Sequence, residues 1–254
     1  MRSRTISLLT AAVLLATSSA SAQSAQSTRV LVPIVVSGAP GMFNSLWTSE
    51  LVAFNTSAVP VGLDFSYRCL FECPSFVLGS SDGDILPISS ESGVPAALIR
   101  IPAASVDSME FALRVRDVSR QSDSWGTEVP VVREDRAFRQ PFDLLNVPLQ
   151  PRFRQTLRIY DFEDRSGGIV RLQFYNLTNG QFLKESQLAL LPPRSIDTHT
   201  PAYVQADLFG LLGDLAGVDR IRVRISPTSD AQRLWAMISV TNNVTQEVTV
   251  VTPR

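Results

Sequence analysis

The chain has 254 residues, 44% of them hydrophobic and 19% charged, with two Cys, one His and a formal net charge of −1. That apolar content excludes a disordered chain, and so few Cys exclude a disulfide scaffold. Near-neutrality excludes a global basic field for nucleic acid, and a single His excludes a histidine-rich metal site within one chain.

Arg2 and Arg4 precede an apolar stretch from Ile6 to Ala16, and Ala20-Ser21-Ala22 has the small-x-small form that signal peptidase accepts. Residues 1–22 are therefore expected to be a signal peptide. The apolar stretch is about half the ~20 residues needed to span a bilayer, and no transmembrane segment is expected after cleavage. The mature chain would hold 232 residues, with 21 basic against 24 acidic and a net charge of −3. Lys184 is the single Lys among the basic residues. Such an arginine bias fits a GC-rich bacterial genome, so the expected destination is the periplasm or the exterior.

Val30 to Val36 is apolar on both faces, as a covered strand requires. Leu63, Phe65, Tyr67 and Cys69 alternate with polar residues, which marks a half-buried strand. Cys69 and Cys73 follow as C-x3-C. No second Cys/His cluster could complete a zinc site, so an exported chain is expected to use them as a local disulfide. Along a straight strand their Cα atoms would lie about 13 Å apart. A bridge needs less than ~7 Å, so the chain must turn between them.

Asp82-Gly83-Asp84 reads as a turn. Met109, Phe111, Leu113 and Val115 alternate with Glu110, Ala112, Arg114 and Arg116, giving a second amphipathic strand. Residues 138–152, rich in Pro, Arg and Gln, read as a junction. Asp161, Glu163 and Asp164 read as solvated turn carboxylates, without the spacing of a calcium loop. Asn179-Gly180 between two strand-like runs is a hairpin signal. Tyr203 to Leu215 is the one plausible helix, short or irregular because of Gly210 and Gly213. Ile221, Val223 and Ile225 alternate with Arg220, Arg222 and Arg224. Leu234 to Ile238 is apolar on both faces, and Asn242-Asn243 predicts a final hairpin.

Arg114-Val115-Arg116 is followed by a polar loop and Trp125, and Arg222-Val223-Arg224 by a polar loop and Trp235. The repeat suggests units close to the ~100 residues of an immunoglobulin-like sandwich. The expected fold class is all-β, with antiparallel sandwich domains at 29–140 and 150–254. The two Trp would hold equivalent, structural positions.

Arg29-Val30-Leu31-Val32-Pro33, Ser49-Glu50-Leu51-Val52-Ala53-Phe54-Asn55 and Ile238-Ser239-Val240-Thr241-Asn242-Asn243-Val244-Thr245-Gln246 together resemble secreted bacterial proteins with tandem immunoglobulin-like or fibronectin-like β-sandwiches. That resemblance implies fold and no particular activity.

Candidates for chemistry are few. His199 with Asp197 has the form of a general base and its orienting acid, but no G-x-S-x-G elbow accompanies them, and a loop residue is the expected reading. Arg220, Arg222 and Arg224 should project from one strand face; they are candidates for contact with an anionic polysaccharide, lipid headgroup or protein patch, but a solvated face paired with acids is the expected reading. No catalytic residue, metal or cofactor is expected. The expected role is non-enzymatic display, adhesion or protein binding at the cell envelope, with an unidentified protein or polysaccharide as partner and no nucleic acid. The alternatives are a carbohydrate-binding module, and an assembly chaperone resembling the periplasmic pilus chaperones that captures a strand near Val30–Val36.

Overall fold

A computed structural model describes residues 26–65, 76–88, 95–119, 125–163, 167–192, 199–213 and 215–253. The stretch 1–22, expected to be a signal peptide, the expected disulfide pair Cys69 and Cys73, Asp164 and Asp197 lie outside the described residues.

The N-terminal half carries β1 (Ser27–Val32), β2 (Ala39–Pro40), β3 (Leu46–Asn55), β4 (Val61–Leu63), β5 (Phe76–Leu78), β6 (Asp82–Ile85), β7 (Ala97–Pro102), β8 (Met109–Asp117), β9 (Thr127–Val129) and β10 (Val132–Arg133). The C-terminal half carries β11 (Phe142–Pro148), β12 (Phe153–Asp161), β13 (Ile169–Asn176), β14 (Phe182–Ala189), β15 (Ala202–Asp207), helix α1 (Leu208–Leu212), β16 (Arg220–Pro227), β17 (Leu234–Asn242) and β18 (Val248–Val251). The fold is all-β, and every strand pairing is antiparallel.

In the first half, β1 lies between β10 and β7, and a bridge between Asp64 and Arg100 carries the β4–β5 pair alongside β7. The facing sheet runs β2–β3–β8–β9, with β6 on the same side of β3 as β2. Leu51 and Ala53 of β3 and Leu113 and Val115 of β8 turn into a core shared with Val30, Leu31, Leu98 and Ile99. Glu50, Arg114 and Arg116 occupy the alternate, outward positions, so the period of two in the sequence is the in–out alternation of a pleated strand.

The second half stacks the sheet β11–β16–β13–β14 on the sheet β15–β12–β17–β18. Leu144, Leu172, Phe174, Ile221, Val223 and Ile225 from the first of these meet Leu157, Ile159, Ala236 and Ile238 from the second. Asn179-Gly180 sits in the loop between β13 and β14, with Gly180 at φ +72°, where the absence of a Cβ removes the strain.

β12 and β17 are covered on both faces. Leu157, Ile159, Ala236 and Ile238 point into the second core, while Tyr160, Trp235 and Met237 pack into the first. The cores therefore share one sheet as a wall. The Tyr160 hydroxyl donates to the Pro33 carbonyl, and Phe138 and Leu234 exchange backbone hydrogen bonds of 2.7 and 2.8 Å. Burial pushes the Tyr160 phenol well above its ordinary range, against the pull of the nearby Arg158 guanidinium.

A charge cluster closes the same seam. Arg29 Nε lies 2.7 Å from Glu134 Oε2, and Arg29 Nη2 3.1 Å from Glu163 Oε2. Arg233 reaches Glu163 at 3.3 Å and Glu134 at 3.9 Å, and Arg139 reaches Glu163 at 3.5 Å. Two carboxylates thus hold three guanidiniums across the seam. Burial, the largest single influence, lowers the Arg29 pKa, but Glu134 and Glu163 together raise it above its ordinary value.

Several expectations are corrected. The stretch 138–152 contains β11, a full member of the second half, because Phe142, Leu144 and Val147 alternate inward. The stretch 203–215 opens as strand β15, because Ala202, Val204 and Ala206 pair with Asp161, Ile159 and Leu157. Only Leu208–Leu212 is helical, opened by Asp207, whose side chain accepts from the Gly210 amide at 2.8 Å. Asp82-Gly83-Asp84 is strand β6, held by backbone pairing to β3. Asp161 is buried, not solvated, and accepts from the Glu163 and Arg233 amides at 2.9 and 3.1 Å. Trp235 is 4% exposed and Trp125 is 73% exposed, so the two Trp are not equivalent. Trp235 lies on a wall between two cores, whereas Trp125 sits in the loop two residues before the edge strand β9.

Candidate functional site

The three arginines of β16 lie on the outward face of the β11–β16–β13–β14 sheet. The inward residues of the same strand, Ile221, Val223 and Ile225, are fully buried, which forces Arg220, Arg222 and Arg224 to the other side. Each has an intramolecular neighbour. Arg220 Nη1 donates to Asn146 Oδ1 at 3.2 Å. The Arg222 guanidinium lies over the Tyr175 ring, 4.3 Å from its centroid. Arg224 Nε lies 3.3 Å from Asp143 Oδ1.

The neighbouring strands complete a platform. Tyr175 and Phe182, paired across β13 and β14, meet edge to face with centroids 5.6 Å apart. The Tyr175 hydroxyl lies 3.3 Å from Gln173 Oε1, and Gln173 Nε2 donates to Glu185 Oε2 at 2.9 Å. Arg171 and Gln187, opposite one another in the register, are exposed beyond them. Four arginines thus share the face with two carboxylates, Asp143 and Glu185. Exposed Phe182 and Ile169 keep it from being uniformly polar.

β11 shapes one end of this platform. Its register with β16 shifts between Leu144 and Val147, so Leu145 and Asn146 together face the single Arg222. Asn146 takes φ +63°, a conformation that Asn tolerates better than most residues. The bulge presents the Asn146 amide to Arg220 and opens a cleft of about 680 Å³ lined by Leu145, Asn146, Arg152, Phe153 and Arg220 on one side and Thr249 to Thr252 on the other. Arg220 belongs to both the row and the cleft, so the row of guanidiniums leads into the cavity.

A second exposed surface lies in the first half. Arg114, 3.6 Å from Glu128, also lies 5.0 Å from the centre of the exposed Trp125 ring. The repeated Arg-Val-Arg motif therefore ends beside an exposed aromatic ring in β8 and beside a half-buried one in β16.

His199 does not join a catalytic group among the described residues. Its Nε2 lies 2.9 Å from Asp64 Oδ1, and its carbonyl accepts from the Leu98 amide at 2.6 Å, so it helps to fasten the loop before β15 onto the first half. Among the described residues no three His, Cys, Asp or Glu side chains gather as a metal site would require, and no helix is long and apolar enough to cross a membrane.

Sequence reasoning found the arginine row but missed Tyr175, Phe182, Asn146 and the cleft. The pairing of β13 with β14 and β16 brings them to one face, and only the Asn179-Gly180 turn signalled that pairing in advance. No protein-family model, no curated protein and no solved structure matches the chain.

Proposed function

We propose that the chain is an exported, non-enzymatic binding protein of the bacterial cell envelope, built as two immunoglobulin-like sandwiches. It engages its partner through the outward face of the β11–β16–β13–β14 sheet. The observation that carries the reading is the platform of Arg220, Arg222 and Arg224 with Tyr175 and Phe182, whose inner side is anchored in a closed core. A rigid sheet is a good base for such a surface because its side chains keep their spacing when a ligand arrives. The seam of Tyr160, Trp235 and the Arg29–Glu134–Glu163 cluster supports the same reading, since it fixes the orientation in which the platform is displayed.

The test uses the mature chain, residues 23–254, mixed with insoluble envelope material from the producing cells. The chain is expected to co-sediment, and the combined change Arg220→Gln, Arg222→Gln and Arg224→Gln is expected to leave a folded protein in the supernatant. Equal sedimentation of both forms would overturn the proposal. So would turnover of a glycan or ester that is lost with His199→Gln. Export itself predicts a mature N-terminus at Gln23, read by intact-mass measurement of the secreted protein.

A carbohydrate-binding role in the first half is the second reading, favoured by the exposed Trp125 ring beside Arg114. It predicts that acrylamide quenching of Trp fluorescence falls when a glycan is added and that Trp125→Phe abolishes the change. Chaperone-like capture along Val30–Val36 has less support. β1 is paired on both sides, with Val30 and Leu31 opposite Arg133 and Val132 of β10 and opposite Ile99 and Leu98 of β7.

A further inference from the structure

We infer that the platform and the cleft form one continuous site for an acidic polysaccharide, whose carboxylate or sulfate groups meet Arg222, Arg220 and Arg152 in turn. The inference rests on the proposed binding role of this face and names its ligand class.

Charge sets the sign of the ligand. Arg171, Arg220, Arg222 and Arg224 share the face with Asp143 and Glu185, and Arg152 adds a further cation inside the cleft. Both acids are engaged locally, Asp143 beside Arg224 and Glu185 with Gln173. Asp219 precedes Arg220 in the chain, and Glu247, whose carbonyl accepts from the Asn242 amide opposite Phe153, is a further acid near this end. The whole mature chain would be slightly acidic, so this basic strip is a local feature.

The mixture of side chains sets the class. Arg222 stacks on Tyr175, an arrangement that spends one guanidinium face on the ring and leaves its N–H edges free to meet an oxyanion. Planar guanidiniums bind carboxylate and sulfate in a forked geometry that a point charge lacks. Phe182 beside Tyr175 offers an apolar surface for the C–H face of a sugar ring, while Gln187 and Gln173 offer amides for hydroxyls. A protein partner would want a larger apolar centre to desolvate, and a lipid surface would want a contiguous patch of protruding apolar side chains. The exposed apolar side chains of this face, Phe182 opposite Tyr175 and Ile169 six residues away along β13, form no such patch.

Shape sets the direction. Arg220 and Arg224 are four residues apart on one strand, about 13 Å, so the row meets an extended chain rather than a single ion. The Leu145–Asn146 bulge lets that chain descend past Arg220 into the cleft beside Phe153, where the guanidinium of Arg152 lies 4.8 Å from the ring centre.

Affinity electrophoresis of the full mature chain tests the inference, with polygalacturonate, dextran sulfate, neutral dextran and the oligonucleotide dT20 as separate probes. Retardation by polygalacturonate or dextran sulfate is expected, weakening with added salt, with none by neutral dextran. Arg222→Gln, and Arg220→Gln with Arg152→Gln, should each weaken binding at least fivefold, while Arg136→Gln, exposed in the first half and outside both candidate surfaces, should leave it unchanged. An unfolding midpoint within a few degrees of the parent shows that each variant is folded. Whichever polymer retards the chain more identifies the carboxylate or the sulfate as the recognised group. Retardation by neither acidic polymer, binding untouched by the arginine changes, or tighter binding of dT20 through the same arginines would overturn the inference. If envelope sedimentation still depends on these arginines while neither acidic polymer retards the chain, the face survives as a binding surface and the glycan class falls. If sedimentation is indifferent to them, both fall.

Discussion

Strands β16 and β17 are consecutive and almost equal in length, yet they belong to different worlds. β16 is covered on one side only, and its sequence alternates Arg with Ile or Val. β17 is buried from Leu234 to Thr241, and its sequence does not alternate. The difference comes from what lies behind each sheet. Solvent lies behind β16, whereas the core of the N-terminal half lies behind β17, with Trp235 and Met237 inserted into it. A sheet with two dry faces becomes a wall between cores, while a sheet with one dry face leaves a platform free for a partner.

The largest effect should come from the wall. Met237→Ala is expected to cost about 2–5 kcal/mol in urea unfolding, because Met237 is fully buried against rigid neighbours. Equal stability of this variant and the parent would show that the second face of β17 is not truly packed.

The charge cluster ranks next. Glu134→Gln removes the carboxylate charge shared by Arg29 and Arg233 and should cost about 1–3 kcal/mol. The loss should shrink at high salt, since the groups are only partly buried. A salt-independent loss would place its origin in packing instead.

Alkaline pH sharpens the same seam. The Tyr160 phenol holds its proton more tightly when folded than the ordinary value of about 10 allows. Its contribution is therefore complete below pH ~10 and lost as pH rises toward the folded value, because only the unfolded chain gives up the proton there. The melting temperature should fall across pH 10–11 in the parent and fall less in Tyr160→Phe. Identical slopes would sever Tyr160 from the effect.

The smallest effect should come from the platform. Arg222→Gln should alter stability by no more than about 0.5 kcal/mol, since its side chain crosses no core. A loss of several kcal/mol would make the row a structural element and remove its availability for binding.

Much of this contrast was legible in the residues themselves. Arg220, Arg222 and Arg224 could be placed on one face because a strand has a period of two, and the all-β class followed from the same periodicity together with turn residues such as Asn179-Gly180. Of the helix expected at 203–215 only the short segment Leu208–Leu212 forms, because backbone pairing of β15 with β12 outweighs a loose helical pattern up to Asp207. The two Trp could not be told apart, because a matching offset from an Arg-Val-Arg motif says nothing about what packs against each ring. The platform was half legible for a related reason: its arginines lie within one strand, but Tyr175, Phe182 and Asn146 reach them only across hydrogen-bonded neighbours.

By itself, then, the sequence determined the strand periods, the hairpin after β13 and the side of β16 on which charge would sit. Those are local properties, set by backbone geometry and by the cost of burying a guanidinium without a partner. Only the tertiary structure decided that β17 would serve two cores, that Glu134 and Glu163 would clamp Arg29, Arg139 and Arg233, and that the arginine row would open into a cleft. Each of these depends on residues distant in the chain meeting in space, and side-chain chemistry fixes such meetings only after the sheets have packed.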